Sequence, residues 1–203
     1  MSKRQHWEQV YQTKAPDAVS WYAPHLYQSL SFIERIAGKS DRIIDVGGGE
    51  STLVDDLLER GYAHVSVLDI SQAAIDGTRR RLGAKASDVQ WITGDITQVA
   101  LPVQYFDVWH DRAVFHFLTS PEQRQAYVRQ VSQAMKPGGH IIVATFGPQG
   151  PEKCSGLEVV RYNADALHEQ FGTRFRRVDS TIDLHETPFG TTQQFLYCYC
   201  KIE

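Results

Sequence analysis

Apolar residues recur at helical spacing at both ends of the first forty positions. Trp7, Val10 and Tyr11 fall three and four apart. Leu26, Leu30, Ile33 and Ala37 repeat the pattern over residues 25–37, and Gly38 is a natural stop. Between them Ala18-Val19-Ser20-Trp21-Tyr22-Ala23-Pro24 has no period, and its proline disfavours helix at Ala23. Trp21 and Tyr22 there either pin the N-terminal arm to the body or form part of a lid over a ligand.

From Asp41 onward the pattern switches between strand and helix. Residues 43–46, 65–69, 89–93, 105–109 and 141–144 read as strands. Leu53, Val54, Leu57 and Leu58 stripe one intervening helix, which Gly61 ends. Ile75, Thr78 and Leu82 mark the next, capped by Ser71. Ser120-Pro121-Glu122-Gln123 combines a serine cap, a proline at the first helical position and a glutamine that completes a capping box. Tyr127, Val128, Val131, Ala134 and Met135 share the face of that helix, and Lys136-Pro137-Gly138-Gly139 stops it. Alternation of this length predicts an α/β fold, a parallel sheet with helices on both faces. After a helix near 164–171 the alternation breaks. Residues 178–184 and 194–201 are joined by a turn around Pro188 and Gly190, too short for a crossover, so they pair antiparallel. The longest stretch without period in the sheet region, residues 147–162, is the candidate substrate loop.

Composition narrows the class. The chain has 203 residues, 42% hydrophobic and 22% charged, which predicts one soluble globular domain. A formal net charge of −3 gives no reason to expect nucleic acid. The N-terminus lacks the apolar core of a signal peptide, and no apolar run is long enough to span a bilayer. Cys154, Cys198 and Cys200 are odd in number and lack a Cys-x-x-Cys spacing, so the cytoplasm is the expected compartment and no metal is expected.

The chemistry centres on Ile43-Ile44-Asp45-Val46-Gly47-Gly48-Gly49-Glu50-Ser51, a strand, a glycine turn and a helix start. A dinucleotide needs Gly-x-Gly-x-x-Gly here. The run Gly47-Gly48-Gly49-Glu50-Ser51-Thr52 lacks the last glycine and puts Glu50 where an anion would sit, so a pyrophosphate would be repelled. A ligand with an ammonium group could instead be met by Asp45 and the turn's carbonyls. Asp69 ends the second strand, as expected of an acid that accepts both hydroxyls of a ribose. Asp95 follows the third strand, where it could accept from an adenine amino group. Three acids at the carboxyl ends of three successive strands mark the edge at which such sheets bind ligands.

On these pieces, with Tyr105-Phe106-Asp107-Val108-Trp109-His110-Asp111 and Met135-Lys136-Pro137-Gly138-Gly139-His140, the chain resembles the class I S-adenosylmethionine (SAM)-dependent methyltransferases over residues 40–203. The N-terminal His6-Trp7-Glu8 and Val19-Ser20-Trp21-Tyr22 look like the arm of small members similar to the thiopurine and protein-lysine branches. The resemblance implies a Rossmann-like seven-stranded sheet of order 3-2-1-4-5-7-6, mostly parallel with the last strand antiparallel. It implies one methyltransferase domain over 1–203: an arm or lid at 1–40, a SAM-binding half at 41–146, and an acceptor loop, helix and hairpin at 147–203. It also implies that Trp7, Tyr11, Trp21, Asp45, Gly47, Gly49, Ser51, Asp69, Ile70, Asp95, Ile96 and His110 hold SAM, and later its product S-adenosylhomocysteine (SAH).

Methyl transfer is an in-line displacement that needs alignment first and a base only if the acceptor carries a proton. Candidates for lining the active site follow the fourth strand: His110, Asp111, Arg112 and His116. Asp111 is the first choice; His116 is either a core or a pocket residue, with an ordinary pKa suited to a base. Cys154, Arg161 and Tyr162 are weaker candidates near the acceptor entrance. The expected function is methyl transfer to a heteroatom (S, N or O) of a small molecule by a monomer or weak homodimer that spans no membrane. Alternatives are a protein-lysine methyltransferase, an NAD-dependent oxidoreductase, which Glu50, Thr52 and the hairpin oppose, and a methyltransferase-like module without catalysis.

Overall fold

The computed structural model describes residues 2–203. Seven strands form the main sheet: β1 (Arg42–Val46), β2 (His64–Asp69), β3 (Val89–Thr93), β4 (Phe106–Arg112), β5 (Met135–Phe146), β8 (Phe175–Glu186) and β9 (Thr192–Ile202). A short hairpin, β6 (Lys153–Cys154) with β7 (Leu157–Glu158), stands apart in the loop after β5. The main sheet runs β3-β2-β1-β4-β5-β9-β8. The first five strands are parallel, and β9 lies antiparallel between β5 and β8. This is the Rossmann-like methyltransferase order that the sequence predicts.

The helices are α1 (Lys3–Thr13), α2 (Tyr27–Ile36), α3 (Leu53–Glu59), α4 (Gln72–Leu82), α5 (Pro121–Ala134) and α6 (Ala164–Glu169). Helices α2 and α3 supply Leu30, Phe32, Ile33, Leu53 and Leu57 to one face of the sheet, against Ile43, Val65, Ile142 and Tyr197. Helices α5 and α6 supply Tyr127, Val131 and Leu167 to the other, against Ile44, Trp109, Ile141 and Cys198. Alternate residues of β1 and β9 therefore enter opposite cores, which is why Ile43–Ile44 and residues 195–200 are apolar without a break. The capping boxes of α1 and α5 are both formed. No helix is long and apolar enough to cross a membrane among the described residues.

Several boundaries differ from the sequence pattern, each for a local reason. Helix α2 begins at Tyr27, two residues late, because the His25 ring is held by Asp56 of α3 at 3.0 Å. Strand β5 begins at Met135, the last residue read as helical, and takes in the whole run read as a helix stop. Gly138 takes φ of +77°, a bulge opens opposite between Phe106 and Val108, and Lys136 ties the segment to Asp107 at 2.7 Å. Strand β4 continues to Arg112, three residues beyond the apolar run, so the chain leaves the sheet later than its hydrophobicity suggests. The loop at 147–162 contains the β6–β7 hairpin, turned through Ser155 and Gly156, both at positive φ.

Candidate active site

Two adjoining cavities lie at the carboxyl ends of β1 to β4. The larger, of about 840 Å³, is bordered by Asp69 and Ile70 after β2, Asp95 and Ile96 after β3, and Gly47 of the glycine turn. The smaller, of about 510 Å³, is bordered by Asp45, Gly48, Glu50, Ser51 and His110. Tyr11, Trp21, Gly47 and Arg112 border both.

The glycine turn is built by close packing against the protein itself. Gly47 has φ of +76°, and a Cβ there would come within 2.1 Å of Val114 Cγ2. A Cβ on Gly48 would meet Asp45 Oδ2 at 2.2 Å, and one on Gly49 would meet both Ala74 Cβ and Asp69 Oδ2 at 2.6 Å. The glycines thus let Asp45 and Asp69 fold in beneath the turn. Asp69 Oδ2 accepts from Gly49 N–H at 3.0 Å and Oδ1 from Ser71 N–H at 2.8 Å. Burial outweighs these bonds and pushes its carboxyl up to about 6. Glu50 is pushed up to about 7, again mainly by burial.

Asp45 is held by a buried chain of hydrogen bonds. His110 Nδ1 lies 2.7 Å from Asp45 Oδ1, His110 Nε2 lies 2.8 Å from Ser29 Oγ, and Ser29 Oγ lies 3.1 Å from the Tyr197 hydroxyl. A carboxylate only accepts, so Nδ1–H donates to Asp45; with a neutral ring, Nε2 then accepts from Ser29 O–H and Ser29 accepts from Tyr197. Asp45 Oδ2 is left buried without a partner. A buried lone acceptor beside a cavity calls for a donor from outside the protein.

The N-terminal arm forms one wall. Trp7 packs edge-on against Trp21 at 5.7 Å and Phe117 at 5.1 Å, and stacks on Tyr11 at 5.9 Å. Glu8 of α1 latches the arm to the first turn of α4, accepting from Ser71 O–H at 2.8 Å and Ala73 N–H at 3.1 Å. Lys3 Nζ donates to Phe117 carbonyl oxygen at 2.7 Å on the opposite rim. Trp21 braces the arm and borders both cavities.

Of the residues expected at the site, Trp7, Tyr11, Trp21, Asp45, Gly47, Ser51, Asp69, Ile70, Asp95, Ile96 and His110 border one cavity or both. Gly49, Asp111 and His116 border neither and lie beneath. Both Asp111 oxygens are engaged, by the amides of Val114 at 2.8 Å and Phe115 at 3.1 Å and by the Tyr127 hydroxyl at 2.6 Å. Its carboxyl, pushed up to about 6 mainly by burial, anchors the turn that carries Val114 to Gly47. His116 is wholly buried and accepts from Phe146 N–H at 3.2 Å. Burial, with Arg112 nearby, pushes its ring down to about 3. The expectation of a pocket base at these positions fails on geometry, because the turn after β4 folds both side chains inward. Cys154 does border the larger cavity, but burial holds its thiol up at about 12, which leaves it protonated. Arg161 is paired with Glu152 at 2.9 Å, and Tyr162 is buried against Phe115. Ser29 and Lys3 carried no signal in the sequence, and Glu8 stood there only as part of the arm, since each acts through a partner remote in the chain.

Residues 43–139 match the family described as a methyltransferase domain. A mouse eEF1A lysine and N-terminal methyltransferase is 23% identical over 137 residues, 68% of this chain and 19% of its own length. The chain thus spans about a fifth of that relative. A solved structure from work on converting a disulfide bond into a thioacetal group during echinomycin biosynthesis superposes with a TM-score of 0.80. It is 19% identical, with 100% of this chain and 93% of that one covered. A Burkholderia thailandensis 1,6-didemethyltoxoflavin-N1-methyltransferase, solved with its substrate and SAH, has a TM-score of 0.71 at 16% identity. There 98% of this chain and 86% of that one are covered. The family match spans β1 to the start of β5, and the fold as a whole is the one shared by SAM-dependent methyltransferases of known structure.

The site fits the cofactor of that family. The unpartnered Asp45 Oδ2 suits an ammonium, Asp69 a ribose, and the space between Asp95 and Ile96 a flat heterocycle.

Proposed function

We propose that the protein transfers a methyl group from SAM to a heteroatom of a small-molecule acceptor. The observation that carries this reading is the pair of adjoining cavities at the carboxyl edge of the sheet, walled in part by Trp7, Tyr11, Trp21 and Phe117, with Asp45 on the smaller and Asp69 and Asp95 on the larger. In this reading residues 1–40 act as the lid, 41–146 bind the donor, and 147–203 contribute Cys154 to the acceptor side and complete the sheet. The three free cysteines favour a reducing compartment such as the cytoplasm.

Bound here, SAM supplies an electrophilic methyl group on a sulfonium. The chain's own part is orientation. Asp45, fixed by His110 and Ser29, takes the ammonium; Asp69, fixed by two backbone amides, takes the ribose hydroxyls. Trp7, Tyr11, Trp21 and Phe117 exclude water from the approach and present aromatic faces that tolerate positive charge. Asp111 and His116 act from below by shaping the turn after β4. Neither of them borders the cavity, so neither meets the acceptor directly, and alignment supplies much of the rate.

Transfer to a protein lysine is the second reading, favoured by the similarity to eEF1A lysine methyltransferases. The latched arm argues for the smaller acceptor, because it narrows the approach to the cavity. Thermal shift tests the donor. SAH at about 100 times its dissociation constant contributes roughly 2.7 kcal/mol, a rise of roughly 5–10 °C in a chain of this size, whereas NAD leaves the midpoint unchanged. Stabilisation by NAD alone would overturn the reading. Radiolabelled SAM incubated with enzyme and cell extract then separates the acceptors: label in the small-molecule fraction supports the proposal, and label confined to protein transfers the case to lysine.

A further inference from the structure

The ligand cavities contain a cation that the protein leaves without a counter-charge. Arg112, the last residue of β4, borders both of them. Arg35, Arg60, Arg81, Arg161, Arg176 and Arg177 each lie within 3.0 Å of a carboxylate oxygen or close to it. Arg112 has no carboxylate partner among the ion pairs of the described residues. Its Nη1 donates to the Trp21 carbonyl oxygen at 3.1 Å, its guanidinium lies 4.2 Å over the Phe195 ring, and its Nε is buried with no acceptor. The groups it acts on electrostatically do not neutralise it. Cys154 stays protonated, Tyr197 is pushed up by burial, and His116 and His185 are pushed down by burial. A partly buried guanidinium with one unmade hydrogen bond and no anion is costly unless a ligand supplies one.

The geometry points to Arg112 as the binding site for a carboxylate carried by the ligand. The bracing of Arg112 by a carbonyl and an aromatic face leaves its fork pre-aligned, which suits a planar two-oxygen acceptor better than a point charge. Two sources share this chemistry. One is the α-carboxylate of the donor's amino-acid end, whose ammonium would meet Asp45 Oδ2 in the smaller cavity. The other is a carboxylate on the acceptor, held in the larger cavity. The inference rests on reading these cavities as a SAM site, and its test separates the two.

Calorimetric titrations of wild type, Arg112→Met and Arg112→Lys use SAH and 5′-methylthioadenosine, which lacks the amino-acid end, and then benzoate added to SAH-saturated protein. If the donor supplies the carboxylate, Arg112→Met loses about tenfold or more in SAH affinity and keeps its affinity for methylthioadenosine, with Arg112→Lys between. If the acceptor supplies it, both adenosine compounds bind the variants normally and benzoate binds only the wild type. Equal loss of SAH and methylthioadenosine would mark general damage to the site and overturn the inference. So would variants that match the wild type in all three titrations. A wild type that binds neither adenosine compound overturns the methyl-donor reading instead, and benzoate titrated into the free protein then decides the Arg112 site on its own.

Discussion

Asp69 is acidic, buried and already satisfied by two amides before any ligand arrives. Its carboxyl is pushed up to about 6, and that of Glu50 in the adjoining cavity to about 7, in both cases chiefly by burial. The ionised forms accept from a ligand's hydroxyl or ammonium groups more strongly than the protonated ones. Protonation therefore competes with binding, and SAH affinity should hold steady above neutrality and weaken as the pH falls through about 7 and then 6. Each group contributes a slope of at most about one decade per pH unit. Calorimetry across this range checks it, and an affinity independent of pH would count against both assignments. Asp69→Ala should abolish SAH binding and also lower the melting temperature, because it strands the Gly49 and Ser71 amides. Asp111→Ala strands two other amides and the Tyr127 hydroxyl, at about 1–3 kcal/mol for each unmet buried group. Its main effect is on thermal stability; unchanged stability with lost turnover would return Asp111 to a direct catalytic role. The identities of these acids and their strand-end positions were legible in the sequence. The inward aim of Asp111 and His116 was not, since it depends on how the turn after β4 closes against Tyr127 and Phe146.

At the scale of elements, the arm and the sheet edge are joined by few contacts, and Glu8 is the most telling of them. An ionised carboxylate at the start of α4 satisfies an amide and a hydroxyl and interacts favourably with the helix dipole. Glu8→Gln removes the charge and gives one of these donors another donor to face. The expected result is a rise of about two- to fivefold in the SAH dissociation rate, corresponding to the roughly 0.3–1 kcal/mol of a charge at a helix start. Stopped-flow tryptophan fluorescence follows it, because Trp7 and Trp21 form the lid. An unchanged dissociation rate would mean that the arm does not retain the ligand. The helical period of α1 announced the element, and Trp7 and Tyr11 its apolar face. The docking of that helix on α4 had no local signature, because Glu8 and Ser71 are 63 positions apart.

Across the molecule, β9 joins the two cores. Phe195, Tyr197 and Tyr199 enter one face while Leu196, Cys198 and Cys200 enter the other, and the strand is paired on both edges. A chain cut before β8 would lose both sets of contacts and leave β5 as an edge. It should show no cooperative unfolding transition by circular dichroism, although every residue bordering the cavities is retained. A cooperative transition in that chain would mean that the donor half folds by itself.

By itself, the sequence determined the alternation of strands and helices, the antiparallel end of the sheet and the row of acids along one edge. Those features follow from local periodicity, turn chemistry and position relative to strand ends. Tertiary structure alone decided which polar groups were used up inside the protein and which were left for a ligand. Asp111 and Asp69 are equally acidic and each follows a strand's apolar run, yet one is enclosed by the turn after β4 and the other opens on a cavity. Arg112 was one of four candidates after β4, and it stood out from them only once it was seen to face no acid, because the absence of a partner is a property of packing in three dimensions.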